Sequence, residues 1–404
     1  MMAKASTTAE PPAEGDEQGT AGKGKAPINP PIIEVGVKQL RAAMKAVSGV
    51  IEGRNIIPIL VNVLINCDGR RLYLTGTDLD MMIEATVEAQ KARGIAVTVG
   101  AKLLEDIAKK LPADALATMV HDGNQLIVSA GRARFRLPTL PVQDFPILGS
   151  PEWQHEFECP ASLWTQMIDR VGFAMANEEA RYYLNGLYLH QTPAGLLGAA
   201  ATDGHRLAVF RTDMPEGGEG LSPMILGRKA VGLVAKLLDE LKPGDDGVSP
   251  MVRFATDGKK ARFDFGTVTL TTKLIDGQYP DYTRVIPIGT DKRCEFVPSV
   301  LREAVDRVIV VTTEKTRLVK AAFGGDLLQL ESVSPENGRG TEELAVEHEG
   351  DPLTIGFNGS YLLAVLDHLN AGSAEVLMGD QSGPTLWRDD EQAASFYVLM
   401  PMRV

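Results

Sequence analysis

Residues 201–209 read Ala-Thr-Asp-Gly-His-Arg-Leu-Ala-Val. Five polar or special residues stand between two apolar runs near the middle of the chain. Asp-Gly is turn chemistry, because Asp bonds its own backbone and Gly reaches positive φ without a steric penalty. The stretch therefore reads as a strand running into a tight turn with binding duties. Asp203 and His205 admit a second reading, as the acid/base pair or two metal ligands of a hydrolase. The sequence around them supplies no third partner: there is no HxH, no ExxH and no Cys at ligand spacing.

Outward from this turn the chain repeats itself. Three segments open with a short strand and an amphipathic helix: 32–35 with 38–50, 156–159 with 162–174, and 294–297 with 299–310. Apolar strands follow each, at 58–65 and 72–75, 186–190 and 196–201, 318–323 and 327–332. A second helix then appears in each, at 101–111, 228–241 and 360–369, behind strands that end at Gly100, Gly227 and Gly356. More strands close each copy, at 119–121, 125–129 and 132–137; 251–255, 260–265 and 268–274; 375–378, 385–389 and 395–400. The period is about 125 residues, which signals units stacked side by side with sheets that can join edge to edge.

The predicted class is α+β: three tandem domains, each of two strand–helix–strands halves. They fall at 32–150, 151–290 and 291–404, with Pro/Gly-rich polar linkers at 148–154 and 287–293. Residues 1–31 hold no apolar side chain larger than Pro between Met2 and Ile28, so they read as a disordered tail. Gly19 and Gly24-Lys25-Ala26 nearly spell a phosphate-binding loop, but Ala26 replaces the required Ser or Thr and no strand precedes it. Six half-units suggest an arc, with helices on one side and sheets on the other. Two arcs joined head to tail would close a ring.

Apolar content of 44% fits globular structure, and aromatics at 6% leave packing mainly to aliphatic side chains. No run is long and apolar enough to span a bilayer and no leader is evident, so a cytoplasmic protein is expected. Cys67, Cys159 and Cys294 read as buried thiols in a reducing compartment. The formal charge of −12 argues against nucleic-acid binding over the whole surface. Local positive charge is still present on helices: Lys38, Arg41 and Lys45 on the first, Lys102, Lys109 and Lys110 on the second, Arg228, Lys229, Lys236 and Lys242 on the fourth. Such a pattern suits loose, sequence-blind phosphate contact. The sixth helix has Asp367 and no Lys or Arg.

One further strand is distinctive. Arg132, Arg134 and Arg136 alternate with Ala133, Phe135 and Leu137, placing three Arg on one face and apolar groups on the other. The third domain offers Glu331, Glu336, Glu342 and Glu343 and an apolar helix end at 308–311, which fits a complementary head-to-tail contact.

ATDGHRLAV, together with RNIIPILVNVLI at 54–65, RYYLNGLYL at 181–189 and YVLMPMRV at 397–404, strongly resembles the bacterial sliding clamp family, the beta subunit of DNA polymerase III. LPTLPVQDFPIL at 137–148 and DGQYPDYTRVIP at 276–287 match as well. The resemblance runs from about residue 32 to the end. It implies a non-enzymatic homodimeric ring around duplex DNA that confers processivity and needs no cofactor or metal. By resemblance Arg54, Lys102, Tyr182 and Tyr183 contact DNA, and Glu178 stands where an acid would repel phosphate. Leu184, Thr202, Gly204, His205, Arg206 and Leu207 form one side of a cleft for short linear peptides. Pro280, Arg284, Val285, Asn358, Tyr361 and Pro384 extend it, and Val398, Met400, Pro401, Met402 and Arg403 complete it. The expected owners of such peptides are the replicative polymerase alpha subunit, the clamp loader, other polymerases and repair proteins. The dimer contact implied uses Arg132, Arg134, Phe135, Leu137 and Ile107 against Val310 and Val311. Gly359 and Val404 differ from the commonest residues of the family. A specialised clamp paralogue is the alternative within the same resemblance.

Overall fold

The computed structural model describes residues 32–149, 151–244, 247–313 and 317–404. The tail expected at 1–31 lies outside the described residues. The six α-helices among the described residues are α1 Val37–Ser48, α2 Ala101–Lys110, α3 Ala161–Gly172, α4 Arg228–Glu240, α5 Pro298–Val308 and α6 Gly359–Leu366. Each falls within a few residues of its sequence expectation, and the ends differ most, as fraying termini do. α1, α2 and α4 start directly after Gly36, Gly100 and Gly227. α5 carries Pro298 in its first turn, where the missing N–H costs nothing. α6 is capped by Asn358, whose side-chain oxygen accepts the amide protons of Ser360 and Tyr361.

The helices pack in pairs, α1 with α2, α3 with α4 and α5 with α6, one pair per unit. Each turns an apolar stripe inward: α2 buries Ala101, Leu104, Ile107 and Ala108 while Lys102 and Lys109 stay exposed. The strands lie in sheets of thirteen, nine and four, and the two larger sheets cross unit boundaries. Strand Met81–Glu88 of the first unit pairs antiparallel with Val268–Lys273 of the second, Ile83 opposite Leu270. Strand Arg206–Thr212 of the second pairs with Ser395–Leu399 of the third, Leu207 opposite Val398. Strict alternation fixes such a register: Met81, Ile83, Ala85 and Val87 are buried and their neighbours are not.

Aliphatic side chains dominate the main core, but the few aromatics are not spread evenly. In the second unit Trp164, 1% exposed, packs against Phe157, Phe254 and Phe263 at ring separations of 5.0 to 6.4 Å. Burial pushes the thiols of Cys159 and Cys294 up to about 12, which keeps them protonated and inert. Cys67 departs from the expectation of three buried thiols: it is half-buried at the outer end of its strand, and its sulfur accepts the amide of Ile95.

Candidate functional site

The 201–209 stretch folds as strand, turn, strand, and the turn is internally wired. Thr202 Oγ1 donates to Arg206 O at 2.7 Å and accepts from Gly204 N at 3.0 Å. Asp203 Oδ1 accepts the amides of His205 and Arg206 at 2.9 and 3.1 Å, and its Oδ2 pairs with Arg206 Nε at 3.0 Å. Gly204 sits at φ +88°, and a Cβ there would stand 2.5 Å from the Arg181 guanidinium. The left-handed backbone favours glycine, while the guanidinium of Arg181 is the far end of a flexible side chain and could swing away from a Cβ. The side-chain pairing of Asp203 with His205 that the hydrolase reading calls for is not formed. The Asp203 carboxylate is occupied by the turn and by Arg206, and His205 meets it only through its backbone N–H. Among the described residues no group of three His, Cys, Asp or Glu could hold a metal ion.

The same wiring occurs twice more. Thr256 Oγ1 bonds Lys260 O while Asp257 Oδ1 takes the amides of Lys259 and Lys260. Thr77 Oγ1 bonds Met81 O while Asp78 Oδ1 takes the amides of Asp80 and Met81. At 77–81 the position of Gly204 is filled by Leu79, at φ +80°. There the turn is tied across the first unit boundary by ion pairs, Lys229 to Asp78 at 2.6 Å and Lys273 to Asp80 at 3.0 Å. At the second boundary a side chain is missing at Gly204 and a cavity of about 240 Å³ opens beside it.

That cavity brings together nine of the expected cleft residues. Leu184, Leu207 and Val398 are buried and form its floor. Thr202, Gly204, Arg206 and Pro280 line it, and Val285 and Met400, 41% and 39% exposed, are its walls. Pro401, Met402 and Arg403 line a neighbouring depression of about 560 Å³ with Thr354 and Val404. The terminal segment is held there because Met402 N donates to Gly356 O at 2.8 Å. His205 stacks on Tyr361 with ring centroids 6.1 Å apart, and the Arg206 guanidinium lies 4.7 Å over that ring and 5.2 Å over Phe173. Arg206 is thus held flat by two aromatic faces and an ion pair, partly withdrawn from water.

Three expected cleft residues take other places. Asn358 serves as the cap of α6 and positions Tyr361 rather than lining the cavity. Arg284 is exposed and pairs with Asp281 at 3.3 Å. Pro384 lines neither depression. The structure adds Arg181, Tyr183, Asp281 and Tyr282 to the cavity lining. Tyr182, 51% exposed, is outward, but Tyr183 is half-buried in the cleft wall. Tyr282 is set by His190, whose Nε2 lies 3.0 Å from its hydroxyl. Burial holds the His190 ring below the ordinary imidazole value.

Much of the helix charge is already engaged. Arg41 donates to the carbonyls of Ala108, Lys109 and Leu111, completing the C-terminal end of α2. Arg228 donates to the carbonyls of Met175 and Ala176, in the loop that follows α3. Lys38, Lys45, Lys102 and Lys109 pair with Asp114, Glu240, Asp106 and Glu105. These lysines remain exposed, and surface pairs of this kind exchange readily. The sequence count overstated the freely available charge, because helix ends attract cations of their own. Arg54 is exposed and forms no ion pair among the described residues. Glu178 is paired with Arg181 at 2.7 Å.

Two of the open sheet edges carry the residues expected at the dimer contact. Strand Ala133–Leu140 is fully paired to Gln125–Ala130, but on its other side only Thr139 and Leu140 meet Val99 and Thr98. Strand Gly338–Ala345 is paired only to Leu327–Ser334 and ends its sheet. Arg134 and Arg136 are exposed as the alternation requires, while Arg132 lies in the preceding turn rather than in the strand. Leu137 and Ile107 are buried, 3% and 7% exposed, in the first unit's own core. Val310 is 77% exposed and Val311 half-buried. Of the four acids, Glu331 is matched by Arg339 and Glu342 by Arg307, while Glu336 and Glu343 form no ion pair among the described residues.

Comparison with known proteins matches all three units. Residues 33–149, 158–281 and 283–403 match, in turn, the N-terminal, central and C-terminal domains of the DNA polymerase III beta subunit. A beta sliding clamp of Caulobacter vibrioides is 39% identical over 371 residues, 90% of this chain and 98% of that protein. That of Escherichia coli is 36% identical, covering 91% and 98%. A crystal structure of the sliding clamp from Bartonella birtlesii, bound to griselimycin, superposes with a TM-score of 0.86 at 37% identity, covering 93% of this chain and all of that one.

Proposed function

Since the chain belongs to the family of the DNA polymerase III beta subunit and acts in DNA replication as a beta sliding clamp, we propose that it does so as a head-to-tail homodimeric ring around duplex DNA. The open edges at 133–138 and 338–345 support this reading, because an unpaired strand edge is an association site unless something covers it. One lies in the first unit and one in the third, so two copies satisfy both edges and close the ring. Arg134 and Phe135 face Glu343 and Val310 of the partner subunit in this arrangement. The helix pairs line the hole, where Arg54, Lys102 and Tyr182 touch phosphates loosely. Processivity then comes from linkage rather than adhesion, which is why a chain of net charge −12 can serve. A clamp working this way needs no catalytic group.

The cleft between second and third units is the docking place for partners. The observation that carries this is the 240 Å³ cavity with an apolar floor and walls of Val285 and the flexible Met400 beside the Arg206–Tyr361 platform. A few apolar anchors of an extended peptide fill such a site, and methionine lets it accommodate several sequences. The replicative polymerase alpha subunit, the clamp loader, other polymerases and repair proteins are the proposed owners of those peptides. Replacing Pro401→Ala and Met402→Ala together should weaken binding of a polymerase-derived peptide, read by fluorescence anisotropy, with the dimer intact by light scattering. Unchanged affinity would count against the cleft.

A further inference from the structure

We propose that His368 and Phe173 are positioning residues of the peptide cleft: through their stacked rings, the end of α6 sets the angle at which Arg206 meets a bound peptide. This rests on the cleft being a peptide site. Arg206 lines the cleft, with its guanidinium over the rings of Tyr361 and Phe173. Phe173 itself lines neither the cleft nor the neighbouring depression. Its ring stacks instead on His368, with centroids 4.2 Å apart and planes 18° from parallel. A column therefore runs from His205 through Tyr361, Arg206 and Phe173 to His368. Tyr361 and His368 belong to the third unit and the others to the second, so the boundary that builds the cleft also passes through the column.

Hydrogen bonds fix the members of the column. Phe173 is the C-cap of α3, and its carbonyl, which the helix end leaves free, accepts from Arg206 Nη2 at 2.7 Å. The carbonyl of His368, just past the end of α6, accepts from Arg170 in the last turn of α3 and from the Tyr397 hydroxyl at 3.3 Å. His368 Nδ1 lies 2.6 Å from Ala364 O. A carbonyl only accepts, so Nδ1 carries the proton and the ring is held against its own helix. Tyr397, wholly buried, flanks the column with its ring 5.8 Å from Phe173 and 6.3 Å from His368.

A guanidinium is planar, so its orientation is set by the groups on its faces and by the acceptors in its plane. For Arg206 the faces meet Tyr361 and Phe173, and the acceptors are Asp203 Oδ2 and Phe173 O. Phe173 thus constrains Arg206 both by its ring and by its carbonyl, and His368 backs Phe173. Without a ring at position 368, Phe173 turns toward the lost contact and Arg206 loses the face that holds it against Tyr361.

The test measures binding of a fluorescent polymerase-derived peptide to the full-length protein by anisotropy, with the dimer checked by light scattering. His368→Leu and His368→Phe both fill the space and both lose the bond to Ala364 O, so they differ in the ring face offered to Phe173. His368→Leu should bind about 3-fold more weakly than the unaltered protein, the scale of one aromatic pair, and His368→Phe should bind as the unaltered protein does. Phe173→Leu, which leaves α6 untouched, should weaken binding at least as much. Beside Arg206→Lys, which leaves no planar group to hold, His368→Leu and His368→Phe should bind alike. Equal affinities of those two without Arg206→Lys, a difference that persists beside it, or full affinity in Phe173→Leu overturns the inference while the cleft stands. Failure of the unaltered protein to bind the peptide overturns the cleft reading and this inference with it.

Discussion

Asp203→Ala separates a structural turn from a binding platform. In the intact chain the carboxylate accepts two amides and grips Arg206, with both side chains 16% exposed. Charge-assisted hydrogen bonds contribute about 1.5–3 kcal/mol each when fully buried, and partial exposure reduces this. We expect a loss of about 2 kcal/mol in urea unfolding. Arg206 keeps its bond to Phe173 O, at 2.7 Å, but loses the group that holds it over Tyr361. Peptide affinity should fall about tenfold, or ~1.4 kcal/mol. The chain supplies its own control. Asp257→Ala dismantles the same turn where no Arg is gripped and no turn residue lines the 240 Å³ cavity. It should cost about 1–2 kcal/mol of stability and leave peptide binding unchanged. Equal weakening by both substitutions, or unchanged binding in Asp203→Ala, would refute the platform.

Other outcomes follow from the same geometry. Phe135→Ala with Arg134→Glu should yield monomers by light scattering, and a persistent dimer would remove the 133–138 edge from the interface. Arg41→Ala should cost about 1–3 kcal/mol in thermal or urea unfolding without altering DNA contact, whereas Arg54→Ala should do the reverse; identical behaviour would mean that the helix-end role of Arg41 is misread. His190 is buried and its pKa lies below the unfolded value, so the unfolded state takes up the proton first. Stability should therefore be flat at neutral pH and decline as pH falls below about 6.5. His190→Gln should flatten that decline in urea melts, and an unchanged slope would locate the pH response elsewhere.

The turn, the threefold repeat and the helix positions were legible in the sequence because each has a local signal. Asp-Gly announces its own geometry, and apolar spacing announces helices and strands. The turn at 77–81 was not legible, since Leu79 adopts a backbone conformation that its side chain disfavours. Cross-unit pairings such as Leu207 with Val398 were not legible either, because an edge strand carries no mark of its partner. For the site, nine of the expected cleft residues line one cavity, Tyr183 lines it as well, and Asn358 caps α6. A tyrosine pair on a loop does not reveal which ring turns inward, and an Asn before Ser-Tyr reads equally as cap or contact. A residue such as Tyr282 lay within the recognised 276–287 stretch and could have been named from it. Arg132 was placed in a strand that begins one residue later.

The central claim is that attachment to DNA is topological. Loaded by a clamp loader onto nicked circular duplex DNA and washed in high salt, the protein should remain bound, and cutting the circle open should release it by sliding off the ends. Dissociation from the intact circle at the same rate as from linear DNA would contradict the account.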